Sequence, residues 1–188
     1  MQNQYKTYVK KLTNILLESN VENQICTLAE TLLLAWKTKR TVFLCGNGGS
    51  AGNAIHLAND FNYGIDKING IGMKVDALPA NQSIITCIAN DEGYEYIFSQ
   101  QLKVRAQEGD VLIVLSGSGN SQNVVNAIQV ANDMKLKTFA IVGFSGGKCK
   151  NIAQVPIHFP IDDMQISEDL QTIVGHMCMQ WLSQKLKN

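Results

Sequence analysis

The sequence predicts an α/β fold in which helices cover both faces of a parallel, doubly wound sheet. From Arg40 onward, short apolar segments alternate with segments of helical periodicity, and this alternation is typical of βαβ units. The clearest apolar segment, DVLIVLS at 110–116, is bounded by Gly109 and Gly117. With 188 residues and neither repeat nor linker, the chain is predicted to form a single domain, residues 1–188, that is long enough to bury a core.

Two helices are predicted to open the chain. Apolar residues recur at helical spacing from Tyr5 to Leu16 and again from Ile25 to Trp36, and a turn at 20–23 separates the two segments. A helical hairpin of this kind needs a partner for its apolar face. Without a sheet behind it, another subunit is a candidate for that partner, so residues 1–38 are predicted to serve in oligomerisation.

Five predicted strands and five predicted helices follow the hairpin. The strands are expected at 41–46, 72–78, 110–116, 138–143 and 155–160. The helices are expected at about 50–61, 81–89, 94–106, 120–134 and 167–186. In sheets of this kind ligands bind at the carboxyl ends of the strands. The loops that follow the strands are therefore the places where a site is expected.

The bulk composition limits the classes of partner and location. The 16 basic and 16 acidic residues give a formal net charge of zero, which argues against a nucleic acid as the main partner. No apolar run approaches the roughly 18 residues of a membrane helix, and the polar N-terminus lacks the apolar core of a signal peptide. We therefore expect no membrane partner and a cytoplasmic location. The five cysteines are scattered without a CxxC pair and are expected to be free thiols.

Two glycine- and serine-rich loops each follow a predicted strand and lead into a predicted helix. They are CGNGGSA at 45–51 and SGSGNS at 116–121. The N-terminus of a helix offers unpaired N–H groups and partial positive charge, so it suits an anion. Neither loop carries the lysine of a nucleotide-binding P-loop, and the first fits the dinucleotide fingerprint GxGxxG poorly. One such loop is explained by a tight turn alone, whereas two in one small chain point to an anion site.

Two histidines and two carboxylates form a second candidate group. His56 and Asp60 lie four residues apart, about one turn along one helix face, and Glu168 and His176 lie eight apart on the last helix. This set suits a divalent metal ion, with zinc the natural candidate, and it suits acid–base chemistry equally well. Polar residues at a surface or interface are the alternative explanation. His158, between two apolar residues of a strand, is interpreted as structural.

Four segments together resemble the phosphoheptose isomerase branch of the SIS (sugar isomerase) family. They are CGNGGSAGNAIHLANDF, ANDEGYEYIFSQQL, LSGSGNSQNVVNA and DDMQISEDLQTIVGHMC, and the likeness covers nearly the whole chain, the N-terminal hairpin included. The resemblance implies a three-layer sandwich with a five-stranded parallel sheet and an N-terminal helical hairpin. It also implies a homotetramer with active sites between subunits.

The resemblance further implies a reaction and a set of site residues. The reaction is aldose–ketose isomerisation between sedoheptulose 7-phosphate and D-glycero-D-manno-heptose 7-phosphate, the first step towards nucleotide-activated heptose for lipopolysaccharide or capsule. The phosphate is expected on Ser116, Gly117, Ser118 and Ser121, the sugar on Asn47, Gly48, Gly49, Ser50 and Glu168, and the sugar hydroxyls on Asn90 and Asp91. One zinc ion per site is expected on His56, Asp60, Glu168 and His176.

The implied chemistry passes through an enediol. Asp60 or Glu168 takes the proton from the carbon beside the carbonyl, and His176 acts as the partnering acid. The chain departs from the family's usual pattern near these residues: Asp60 stands in place of a glutamate, Glu168 in place of a glutamine, and a Gly-Arg pair is absent from 62–65. Two alternatives therefore stay open. They are a SIS enzyme that acts on another sugar phosphate and a non-catalytic protein-interaction or sugar-phosphate-binding module.

Overall fold

The computed structural model describes residues 1–67 and 70–185 of the chain. The strands are β1 Val42–Cys45, β2 Val75–Ala77, β3 Val111–Ser116, β4 Lys137–Val142 and β5 Val155–His158. The helices are α1 Gln2–Glu18, α2 Glu22–Lys37, α3 Gly49–Asn62, α4 Gln82–Asp91, α5 Ser99–Arg105, α6 Gln122–Asp133, α7 Gly147–Ile152 and α8 Met164–Lys185. None of these described helices is both long and apolar enough to cross a membrane.

The strands form one parallel sheet in the order β2-β1-β3-β4-β5. Alternate residues of β3 enter two different cores. Ile113 and Leu115 pack with α2, α3 and α8 on one face, whereas Leu112 and Val114 pack with α5 and α6 on the other. Because both of their faces are buried, the central strands β1 and β3 read as nearly continuous apolar runs. The predicted three-layer α/β sandwich with a five-stranded parallel sheet is confirmed.

The N-terminal hairpin forms where it was predicted, and part of its apolar face is covered within the chain. Helix α2 buries its apolar residues in the core that it shares with α3 and α8. Helix α1 buries Ile15. It also contacts α8, because the Tyr8 hydroxyl donates a hydrogen bond to an Asp169 carboxylate oxygen at 2.6 Å. The sheet side of the hairpin thus has a partner in the same subunit. The use of residues 1–38 in oligomerisation stays a prediction.

Three segments differ from the predicted helices. The helix predicted at 94–106 is interrupted, since a 3-10 turn at Tyr94–Tyr96 precedes α5. Ile97 and Phe98 lie between these two elements, and both side chains are buried in the core. Helix α7 was not predicted, because six residues are too few to show helical periodicity. The helix predicted to end at residue 186 is described as far as Lys185, and Leu186 lies outside the described residues.

The two glycine- and serine-rich loops lie side by side because β1 and β3 are neighbours. Cys45, the last residue of β1, is in register with Val114 of β3, so the chain leaves both strands at the same edge of the sheet. The neighbours of β1 are β2 on one side and β3 on the other. The connection after β1 therefore runs to one side of the sheet and the connection after β3 to the other. Where neighbouring connections diverge in this way, a crevice opens at the carboxyl edge of a parallel sheet, and both loops border it.

The cysteines provide a test of how tightly the two cores are packed. Burial raises the pKa of the Cys149 and Cys178 thiols to about 12 and raises that of Cys45 as well, whereas Cys26 and Cys87 are exposed. Because the thiolate is the reactive form, a thiol reagent at about pH 8 is expected to modify the two exposed cysteines in the native chain and the other three only after unfolding. Counting modified thiols before and after adding guanidinium measures this. Rapid modification of all five in the native chain would contradict the packing.

Candidate active site

The two loops enclose a cavity of about 270 Å³ at the carboxyl edge of β1 and β3. Every predicted phosphate-binding and loop sugar-binding residue lines it, and so does Glu168. Leu115 and Met164 complete the wall among the described residues. The loop residues that line the cavity are Asn47, Gly48, Gly49, Ser50, Ser116, Gly117, Ser118 and Ser121.

The loop at 116–121 is a tight turn that leaves hydrogen-bond donors free at the start of α6. Ser116 Oγ accepts a hydrogen bond from the Gly119 N–H at 3.0 Å. Gly119 has a φ of 67°, and a Cβ added there would overlap the Gly146 carbonyl oxygen, so the turn requires glycine. Ser121, the residue before α6, makes no side-chain capping hydrogen bond within the described chain. Its hydroxyl and the first N–H groups of α6 are therefore available to a ligand.

Glu168 lies in this cavity with an unpaired carboxylate. It projects from α8 onto Gly49, the first residue of α3, where an added Cβ would overlap the Glu168 carboxylate. Its side chain is half-buried, and no hydrogen bond or ion pair holds the carboxylate within the described residues. Among the described residues that line the cavity, Glu168 alone carries a formal charge. A bound phosphate would therefore meet one negative charge beside two helix N-termini.

Two residues that sequence analysis did not single out contact Asn47. The side-chain amides of Asn47 and Asn123 exchange hydrogen bonds of 2.9 and 2.8 Å, and the Tyr94 hydroxyl donates to Asn47 Oδ1 at 3.0 Å. Asn123 lies in the first turn of α6, directly after the loop at 116–121. The position of Asn123 two residues after the loop is a local signal, whereas its burial against Asn47 and the contact of Tyr94 are visible only in the structure.

The second candidate group assembles where α3 and α8 pack together. His56 Nε2 lies 2.9 Å from His176 Nε2, and Asp60 Oδ2 lies 3.5 and 3.4 Å from those two nitrogens, respectively. These separations suit a single metal ion, because ligand atoms placed tetrahedrally around zinc at their usual bond lengths are about 3.3 Å apart. Two imidazoles and a carboxylate are also donors that zinc accepts. The residues present therefore fit a zinc ion.

Glu168 lies apart from this group. It precedes His176 by eight residues on α8, a separation of about 12 Å along the axis and about 80° around it. Within residues 1–67 and 70–185, the cluster of three metal-ligating side chains is His56, Asp60 and His176, without Glu168. The structure thus places Glu168 with the loops and not beside the other three predicted ligands.

A row of contacts between α3 and α8 connects the cavity to the His–Asp–His group. Asn53 Nδ2 donates to the Glu168 carbonyl oxygen and to Gln171 Oε1, both at 3.0 Å. About one turn further, the absence of a side chain at Gly175 lets Leu57 pack against the backbone of α8. The first loop and the His–Asp–His group are about 10 Å apart along α3, because seven residues of that helix separate Gly49 from His56.

Asn90 and Asp91 lie outside this cavity. They are the last two residues of α4 and are exposed. Asn90 Nδ2 donates to Asp91 Oδ1 at 2.8 Å, and the Cys87 thiol also contacts the Asp91 carboxylate, at 3.5 Å. A single copy of the chain does not bring these two residues to the loops, and their contact with substrate hydroxyls stays a prediction.

The similarity to known proteins extends over most of the chain. The sequence pattern of the SIS domain matches residues 4–143. The chain belongs to the SIS domain family. A phosphoheptose isomerase of Clostridium acetobutylicum is 32% identical over 185 residues, which are 97% of this chain and 93% of the relative. One of Akkermansia muciniphila is 37% identical over 163 residues, 87% of this chain and 82% of the relative.

The SIS fold of this chain is also that of a solved phosphoheptose isomerase. The structure from Neisseria gonorrhoeae superposes with a TM-score of 0.89 at 26% identity, over 97% of this chain and 98% of the other. The family resemblance noted from the four sequence segments is thereby confirmed, and so is its phosphoheptose isomerase branch. This SIS protein is a member of an isomerase family.

Proposed function

We propose that this SIS protein is an aldose–ketose isomerase that interconverts sedoheptulose 7-phosphate and D-glycero-D-manno-heptose 7-phosphate. The observation that carries the proposal is the placement of two groups along α3, an anion-binding cavity at its N-terminus and the His–Asp–His group about 10 Å further on. A seven-carbon sugar phosphate has its phosphate at one end and its carbonyl near the other, so one molecule reaches both groups. The similarity to phosphoheptose isomerases supports this choice of substrate.

The phosphate end of the substrate is assigned to the loop at 116–121. Ser116, Ser118 and Ser121 line the cavity, and the N-terminus of α6 adds free N–H groups and partial positive charge. Binding energy gained here is remote from the reacting carbons, so it orients the sugar for the chemistry at its other end. In this proposal Asn47 and the glycines of the first loop line the sugar.

The carbonyl end is assigned to the His–Asp–His group. Zinc, if bound there, would be held by His56, Asp60 and His176 and would supply Lewis-acid polarisation of the carbonyl oxygen. Three protein ligands leave a position open, as is usual in catalytic zinc sites. Glu168, expected from the sequence as a fourth ligand, is assigned to substrate binding because it lies in the loop cavity.

The proton transfers are assigned to Asp60 and His176. His56 Nε2, His176 Nε2 and Asp60 Oδ2 face the zinc position, so the transfers use the other carboxylate oxygen and the other ring nitrogen. Asp60 Oδ1 takes the proton from the carbon beside the carbonyl, and His176 Nδ1–H donates a proton to the carbonyl oxygen, which gives the enediol. The proton on Asp60 then returns to the neighbouring carbon, while His176 recovers a proton from the other hydroxyl. Asp60 is favoured over Glu168 because its carboxylate oxygen lies 3.4 Å from His176 Nε2. The two groups can therefore act on adjacent atoms of one substrate.

We further propose a homotetramer with active sites between subunits, in which residues 1–38 serve in the interface. Large apolar side chains on the hairpin support it, since Tyr5, Leu17 and Leu34 are 68, 75 and 61% exposed in the single chain. Asn90 and Asp91, which lie outside the cavity of their own chain, would then be available to the site of a neighbouring subunit. In this arrangement each site is completed by its neighbour.

A cytoplasmic location and a role in making nucleotide-activated heptose for lipopolysaccharide or capsule complete the proposal. All five cysteines lie within the described residues and are free thiols, which is typical of proteins from reducing compartments.

Incubation of the purified chain with sedoheptulose 7-phosphate tests the proposed reaction. We expect isomerisation, inhibition by a zinc chelator with recovery on adding zinc, and competitive inhibition by inorganic phosphate. A panel of other sugar phosphates is the control. Faster turnover of another sugar phosphate would identify a different substrate, and tight binding without turnover of any of them would favour a sugar-phosphate-binding module.

A further inference from the structure

The side-chain amide of Asn123 has one orientation that its surroundings determine. The Val124 N–H donates to Asn123 Oδ1 at 2.9 Å. A backbone N–H is always a donor, so this contact identifies which end of the Asn123 amide is the oxygen. The nitrogen of that amide must then be the atom that donates to Asn47 at 2.8 Å.

The orientation of Asn47 follows from that of Asn123. Asn47 Oδ1 accepts from Asn123 Nδ2 and from the Tyr94 hydroxyl, so both of its lone pairs are used. One N–H of Asn47 Nδ2 donates to Asn123 Oδ1. Its second N–H has no acceptor among the described residues, and Asn47 lines the cavity between the two loops.

We propose that Asn123 and Tyr94 are positioning residues that make Asn47 a hydrogen-bond donor to a hydroxyl oxygen of the sugar. The inference rests on the proposed function, because it takes a sugar phosphate as the occupant of the cavity. Without the two donors, the Asn47 amide is free to turn by half a rotation and to present its own oxygen, which repels the lone pairs of that sugar oxygen. Asn123 is 2% exposed, so water does not replace its contribution.

Asn123→Leu tests the proposal, because it keeps the number of heavy atoms and the neutrality of the side chain and removes the amide that orients Asn47. By isothermal titration calorimetry, the Kd for sedoheptulose 7-phosphate is expected to rise about tenfold to a hundredfold. KM should rise in parallel, with kcat changed less than about threefold. The Kd for inorganic phosphate, which occupies the other loop, is expected to stay within about twofold of the wild-type value.

Tyr94→Phe gives an independent measurement, since Tyr94 is 56% exposed and its replacement leaves the core intact. The Kd for sedoheptulose 7-phosphate is expected to rise about threefold to tenfold. Asn132→Leu is the matched control for loss of a buried amide from α6. Asn132 bonds the Ile152 carbonyl and the Thr138 hydroxyl away from the cavity, so this variant is expected to lower the Tm without changing either Kd.

Equal loss of affinity for sedoheptulose 7-phosphate and inorganic phosphate in Asn123→Leu would overturn the proposal. So would an unchanged Kd for the sugar phosphate in both Asn123→Leu and Tyr94→Phe, or a wild-type chain that binds the sugar phosphate no more tightly than inorganic phosphate. A wild-type chain that binds sedoheptulose 7-phosphate without isomerising it would refute the proposed function alone. In that case the Kd values of the variants still support or overturn the positioning role.

Discussion

Replacing Asp60 by asparagine is expected to lower kcat for sedoheptulose 7-phosphate by about 10²- to 10⁴-fold. An amide has no basic oxygen to take the proton from the carbon beside the carbonyl. The position of Asp60 is the reason for choosing it, since its carboxylate oxygen lies 3.5 Å from His56 Nε2 and 3.4 Å from His176 Nε2. Steady-state kinetics measure the effect, and the zinc content of the variant shows how much of it comes from loss of the metal ion.

Glu168→Gln is the matched control, because it makes the same chemical change in the other candidate carboxylate. Its kcat is expected to stay within about threefold of wild type. Inorganic phosphate should bind about tenfold more tightly, since a negative charge is removed from the cavity. Asp60→Glu, which introduces the glutamate that the family usually carries, should have a kcat close to that of the wild type. Loss of kcat in Glu168→Gln with retention in Asp60→Asn would reverse the two roles.

Replacing Gly175 by alanine is expected to destabilise the chain by about 1–3 kcal/mol and to weaken zinc binding. The added methyl group would overlap the Leu57 side chain. Leu57 is buried in the core under α3 and α8, where a cavity of only about 10 Å³ beside it and Gly175 gives its methyl groups little room. The two helices must then move apart, which separates His56 from His176. Urea unfolding measures the loss of stability, and zinc titration measures the effect on the site.

Gly52→Ala is the control for this variant, because it is also a glycine-to-alanine change in one of the same two helices. No heavy atom of the described residues lies within 4 Å of a Cβ added at Gly52. Alanine is the better helix former, so this variant is expected to be more stable by roughly 0.5–1 kcal/mol. A Gly175→Ala variant as stable as Gly52→Ala, with unchanged zinc affinity, would show that α3 and α8 are not packed as described.

The strands and most helices were predictable because their signals are local. A strand buried on both faces is a continuous apolar run, and each predicted strand overlaps an observed one. The loops that lead into α3 and α6 were predictable for the same reason, since a helix N-terminus and its glycine turn are built from consecutive residues. The interruption at 97–98 was not, because the burial of Ile97 and Phe98 depends on neighbours far away in the chain.

The sequence by itself determined that two glycine- and serine-rich loops follow β1 and β3 and that His56 and Asp60 share one face of a helix, since both follow from short-range geometry. Tertiary structure alone decided which distant groups meet. Packing of α3 against α8 brings His176 to His56 and Asp60 and leaves Glu168 in the loop cavity. Tertiary packing likewise brings Asn123 and Tyr94 into contact with Asn47. The period of a helix sets which residues share a face, whereas the contact between two helices decides which faces meet.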